Sequence, residues 1–232
     1  MTAILSNMQA VRAALNQAAV MAKRDVAQIS LLAVSKTMSA DVIREAYACG
    51  QTVFGENYVQ EALGKIHELR DLTIEWHFIG PIQSNKTRQI AENFSWVHSL
   101  DRLKIAQRLS EQRPANLPAL NVCLQINVSG EASKGGVPPD EALALVAAIA
   151  VLPRLNLRGL MAIPAPAEGL AAQRAPFTVM RELMQRLNKT GFYLDTLSMG
   201  MSHDLTAAIL EGATIVRVGT AIFGSRKTKE KQ

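Results

Sequence analysis

Ile29-Ser-Leu-Leu-Ala-Val34 is a short apolar run, and Ser35-Lys36-Thr37 follows it directly. A run of this length bounded by polar residues suits a strand covered on both faces, as in a parallel sheet. Upstream, Leu5 to Lys23 carries Met8, Val11, Leu15, Ala18, Ala19 and Ala22 at helical spacing and reads as an amphipathic helix. Downstream, Ser39 caps a second helix that Cys49-Gly50 ends. The unit then recurs along the chain. Strands are predicted at Thr52–Phe54, Glu75–Ile79, Ser95–His98, Leu120–Val128, Leu157–Ile163, Asp195–Ser198 and Thr214–Val218. Helices are predicted over Tyr58–Arg70 and Ser84–Asn93, from Asp101, from near Pro139, and over Gln173–Lys189 and Asp204–Glu211.

Eight strand-like runs alternating with helices argue for a parallel sheet with helical crossovers. The 232 residues come close to the ~250 of one (β/α)8 barrel. The expectation is therefore α/β: a single (β/α)8 TIM-type barrel with an extra N-terminal helix over residues 1–225. An open doubly wound sheet is the alternative. No linker rich in Pro, Gly or Ser divides the chain, and Pro164-Ala-Pro166 reads as a stiff loop.

Hydrophobic residues make up 48% and charged residues 19%, an ordinary globular balance. No apolar run approaches the ~20 residues that span a bilayer, and the N-terminus lacks a basic region followed by an unbroken apolar stretch. Cys49 and Cys123 share no metal-type spacing, so free thiols in a reducing cytoplasm are expected, with no metal site. Of the net charge of +5, residues 226–232 contribute +3, from Arg226, Lys227, Lys229 and Lys231 against Glu230. That segment reads as a solvated, mobile basic tail, and no basic stripe interleaved with aromatics points to nucleic acid.

In a barrel of this kind the chemistry gathers at the C-terminal ends of the strands. Lys36 stands at the end of the first. A desolvated lysine is partly neutral, and a neutral amine attacks an aldehyde to form a Schiff base. Position alone favours the plainer reading, a strand-end lysine with its head in water. The ends of strands seven and eight shift the balance. Ser198-Met-Gly200 and Gly219-Thr220 each offer a small residue, backbone N–H groups and a hydroxyl, where barrels often hold phosphate. Arg217, two residues before Gly219, should face the same side as Ile215 and Gly219. It reads equally as a contact for a ligand ring nitrogen or as half of a structural salt bridge.

These stretches also carry a resemblance. Leu32-Ala-Val-Ser-Lys36-Thr, Phe54-Gly-Glu-Asn-Tyr-Val-Gln-Glu61, Trp76-His-Phe-Ile-Gly-Pro-Ile-Gln-Ser-Asn-Lys86, Leu160-Met-Ala-Ile163, Leu197-Ser-Met-Gly-Met-Ser-His-Asp204 and Val216-Arg-Val-Gly-Thr-Ala-Ile-Phe-Gly224 resemble the pyridoxal phosphate homeostasis proteins, the YggS or PROSC family. The resemblance implies a fold like the alanine racemase N-terminal domain (fold type III) standing alone. It implies pyridoxal 5'-phosphate as cofactor, held on Lys36 as a Schiff base. It further implies that Ser198, Gly200, Gly219 and Thr220 hold the phosphate, that Arg217 faces the pyridine nitrogen, and that Asn57 and His77 line the same mouth. Many bacterial members carry a second lysine where this chain has Met38, and Lys134 matches a loop lysine of theirs.

The implied function is cofactor binding for intracellular homeostasis and delivery, with apo-enzymes as recipients, rather than catalysis. A small amino-acid racemase is the alternative. Racemases of this fold use a second acid/base, usually a tyrosine from a further domain. Of Tyr47, Tyr58 and Tyr193, only Tyr58 lies near a strand end, where helix packing explains it equally well. No apolar heptad marks an obligate dimer, so a monomer is expected.

Overall fold

The eight apolar runs become eight parallel strands that close on themselves in chain order. The structure, a computed structural model, describes residues 2–131 and 135–224. The strands are β1 (Ser30–Val34), β2 (Val53–Glu56), β3 (Glu75–Phe78), β4 (Trp96–Leu100), β5 (Leu120–Gln125), β6 (Leu155–Met161), β7 (Thr196–Ser198) and β8 (Ile215–Val218). Pairing of β1 with β8, from Ser30 opposite Ile215 to Ala33 opposite Val218, closes the barrel and removes the open-sheet alternative.

The helices are α1 (Ala3–Met21), α2 (Ala40–Ala48), α3 (Val59–Glu68), α4 (Thr87–Asn93), α5 (Leu103–Gln112), α6 (Ala142–Ala150), α7 (Leu170–Lys189), α8 (Leu205–Leu210) and a last turn, α9 (Thr220–Phe223). Local chemistry sets several boundaries. The Ser39 hydroxyl accepts from Val42 N and starts α2 as predicted. By contrast α6 begins at Ala142 rather than near Pro139, because a turn closes first through Glu141 N donating to Pro138 O.

One strand is shorter than its hydrophobicity predicts. β5 stops at Gln125, not Val128. Beyond it the chain leaves the sheet and bridges Ile126 to Val137, with Asn127 N donating to Val137 O at 2.9 Å. Gly136 (φ +113°) permits this, since a Cβ there would stand 2.8 Å from Asn127 N. Lys134 and the basic tail lie outside the described residues.

Two apolar layers hold the fold. The larger lies between sheet and helices and includes Phe54, Phe78, Ile105, Leu124, Phe177 and Val216. A smaller one fills the barrel interior with Leu32, Trp96, Cys123, Met161 and Ile215. The added helix α1 packs on α8 and α9. Its Asn7 amide donates to Ile222 O at 2.9 Å, which ties the last turn to the start of the chain.

Candidate functional site

Closure of β1 against β8 sets the residues after those strands side by side. Lys36 and Gly219-Thr220 consequently share one rim, although they stand far apart in the sequence. A cavity of ≈ 360 Å³ opens there, lined by Lys36, Met38, Asn57, Arg217, Gly219 and Thr220 among others. Lys36 is half-buried. A Cβ on Gly219 would lie 3.2 Å from Val34 O, so the two strand ends approach closely at this point.

The backbone on either side of Lys36 is held from behind by a buried ionic cluster. The Ser35 hydroxyl donates to Glu56 Oε1 at 2.6 Å. Lys65 Nζ donates to Ser35 O at 2.9 Å and to Glu56 Oε1 at 2.8 Å, and also to Glu61 Oε1. Glu61 Oε1 in turn accepts from Thr37 N at 2.6 Å. Thr37 adopts φ +69°, a conformation that side-chain-bearing residues rarely take. The residues before and after Lys36 are thus both fixed by β2 and α3. Burial pushes the Glu56 carboxyl above its ordinary range, opposed by Lys65 and by the Ser35 hydroxyl.

Asn57 reaches the cavity because Gly80 lets the loop after β3 pack against it. A Cβ at Gly80 would stand 2.1 Å from Asn57 O. Asn57 Oδ1 is buried and has no hydrogen-bond partner in the protein. Arg217 is 4% exposed, and burial pushes its guanidinium down to about 10. Its hydrogen-bond partners are neutral: Ser198 O at 2.6 Å, Ser198 Oγ at 2.8 Å and Ala162 O at 2.8 Å. Among the described residues no carboxylate pairs with it, so the salt-bridge reading of Arg217 does not hold. The lining carries Lys36 and Arg217 and no acidic residue.

The alanine racemase N-terminal domain family matches residues 1–227. A pyridoxal phosphate homeostasis protein of Pseudomonas aeruginosa is 64% identical over 97% of this chain and 97% of its own. This chain belongs to the pyridoxal phosphate homeostasis protein family. Its Escherichia coli K12 relative of the same name is 52% identical over the full length of both. PipY of Synechococcus elongatus PCC7942, solved with PLP bound, superposes with a TM-score of 0.83 at 36% identity, covering 95% of this chain and 100% of that one. An alanine racemase from Corynebacterium glutamicum shares the fold at 21% identity (TM-score 0.71); 96% of this chain covers 61% of that chain.

Within this homeostasis-family chain the expected site residues divide. Lys36, Asn57, Arg217, Gly219 and Thr220 come together on the cavity. His77 does not line the mouth. It is 1% exposed inside the barrel, where β3 places it beside Trp96 and His98 with ring centroids at 5.3 and 5.0 Å. Ser198 is fully buried and not part of the cavity lining, and its hydroxyl turns inward to His98 and Arg217. Alternation in β7 requires this, because Ser198 sits on the same face as the inward residues of its neighbours. Gly200 (φ +92°) makes the turn after β7 and does not line the cavity; the residues of that loop that do are Met201, Ser202 and His203.

Tyr58 is 55% exposed and lies away from the cavity, and Lys86 likewise does not line it. Sequence reasoning missed Lys65, whose sole signal was its i,i+4 spacing from Glu61 on α3. It also missed His98, which sits in an apolar strand with nothing beside it to mark it.

Proposed function

We propose that this chain binds pyridoxal 5'-phosphate at the β1–β8 mouth, with Lys36 as the covalent anchor, and serves cofactor homeostasis rather than catalysis. When bound, the cofactor supplies an aldehyde that condenses with a primary amine, releasing water. The observation that carries the reading is the lining itself: two cationic side chains, no carboxylate, and a buried amide oxygen with an unmet hydrogen-bond capacity. Such a set suits an anionic ligand that also bears polar ring substituents. Gly219 and Thr220 stand where backbone can approach a phosphate closely. Arg217, held by neutral partners only, keeps its charge for the ligand ring. Glu56, Glu61 and Lys65 serve from outside the mouth by fixing the turn that aims Lys36.

An arginine beside a pyridine nitrogen opposes protonation of that nitrogen, which weakens the cofactor as an electron sink. This favours storage and delivery to apo-enzymes in the cytoplasm. The competing racemase reading needs a second acid/base opposite Lys36. Among the described residues that line the cavity, His203 is the one that would serve it. Three measurements test the proposal. Borohydride reduction of protein incubated with pyridoxal 5'-phosphate, followed by peptide mass analysis, should place the adduct on Lys36, and Lys36→Ala should lose the visible band while keeping the native circular dichroism. An unmodified Lys36 in coloured protein would overturn the assignment. Loss of optical rotation from single-enantiomer alanine, in proportion to protein and abolished in His203→Ala, would replace homeostasis with racemisation.

A further inference from the structure

Arg217 is joined to the opposite face of the barrel by an unbroken line of buried side chains. Its NH1 donates to Ser198 Oγ at 2.8 Å, and Ser198 Oγ meets His98 Nδ1 at 2.7 Å. His98 Nε2 meets His77 Nδ1 at 2.9 Å, and His77 Nε2 meets Glu75 Oε1 at 2.6 Å. Glu75 opens β3 at the N-terminal end of the strands and is 49% exposed. The line therefore crosses the barrel from the cavity mouth to a second, solvent-reaching cavity on the far face, lined by Glu75, His77, Arg158 and Asp195.

Its polarity is forced from both ends. A guanidinium can only donate and an ionised carboxylate can only accept. Between them each link holds one hydrogen. With both imidazoles neutral a single arrangement satisfies every bond: Arg217 to Ser198, Ser198 to His98, His98 Nε2–H to His77 Nδ1, and His77 Nε2–H to Glu75. Both histidines are then Nε2–H tautomers, and the Ser198 hydroxyl must turn a lone pair toward Arg217. Burial lowers the proton affinity of both imidazoles, and for His98 the neighbouring His77 ring and the Arg217 guanidinium lower it further. His77 holds the Glu75 carboxyl below its ordinary range.

We infer that Glu75, His77, His98 and Ser198 are positioning residues for Arg217, forming a one-way relay through which the charge on the far face of the barrel is felt at the cofactor mouth. The inference rests on the cofactor reading above for its consequence, though not for its geometry. Other charged or titratable groups face the relay. Arg158 of β6 stacks over Trp96 at 5.0 Å and pairs with Asp195 at 2.7 Å. Arg24 lines the far cavity, the Cys123 thiol of β5 is pushed up to about 12 by burial, and Asp204 stabilises the Arg217 charge. None of these bonds into the line.

The relay predicts a coupling that a scattered field would not give. Glu75→Gln keeps an acceptor for His77 and removes the charge. In protein loaded with pyridoxal 5'-phosphate it should weaken the apparent proton affinity read from the pH titration of the visible band by about two- to fivefold, because the negative end of the line is lost. Ser198→Ala cuts the line beside Arg217, and in that background Glu75→Gln should cause no further shift. An unchanged titration in Glu75→Gln, or an equal shift with and without Ser198, overturns the relay. A cofactor-free readout separates this outcome from failure of the cofactor reading. Nitrogen-15 NMR of the unloaded wild-type protein should show Nε2–H tautomers for both His77 and His98, and an Nδ1–H tautomer at either overturns the relay whether or not the cofactor binds.

Discussion

Replacing Lys65 with methionine tests whether the ionic cluster behind Lys36 does what its geometry requires. Methionine keeps most of the unbranched stem, so the packing change is small. What is lost is an ammonium, 7% exposed, that bonds Ser35 O, Glu56 and Glu61. Glu56, with a fully buried side chain, would retain only the Ser35 hydroxyl, and its Oε2 already lacks a partner. Removing one member of a buried pair costs about 3–5 kcal/mol. Glu61 is 31% exposed and keeps the Thr37 amide, so its share of the loss should be the smaller one.

The pH dependence follows from the sign of the Glu56 shift. Its carboxyl binds a proton more tightly in the folded state than in the unfolded chain. Stability from this group therefore rises as pH falls through the folded value. Loss of Lys65 strips away an opposing influence and raises the carboxyl further. The deficit of Lys65→Met, measured by urea denaturation, should be largest near neutral pH and should shrink as the pH is lowered. Adding Glu56→Gln should recover part of it. A deficit under about 1 kcal/mol at neutral pH, or one that ignores pH, would refute the claim that this cluster is a buried, interdependent support.

Gly200→Ala combines an unfavourable φ of +92° with a Cβ placed 2.4 Å from Ala208 Cβ, and should cost about 2–4 kcal/mol in the same assay. Cys123 is fully buried with its thiol pushed up to about 12, so under native conditions a thiol reagent should label the half-buried Cys49 first, with Cys123 reacting only on unfolding.

Much of the architecture was legible because it depends on periodicity. Eight apolar runs, each followed by a helical pattern and a cap or glycine, state the (β/α)8 order locally. Boundaries slipped where non-local geometry intervened, as at β5, whose apolar Ile126 and Val128 leave the sheet for a loop that Gly136 folds back. The site was half legible. Lys36, Arg217, Gly219 and Thr220 mark strand ends, and strand ends of a barrel share a face. The directions of Ser198 and His77 were not legible, because a motif records which residues stand at a strand end and not which way each one turns.

The sequence by itself determined the strand count, the place of Lys36 at the end of the first strand and the family, since these follow from local pattern and from motifs kept in order. Only the tertiary structure decided that a lysine on α3 braces the turn beneath Lys36, and that two histidines connect Arg217 to a carboxylate on the far face. Both depend on side chains meeting across strands and helices far apart in the chain. Hydrogen-bond polarity and burial act through those meetings, and no local pattern encodes them.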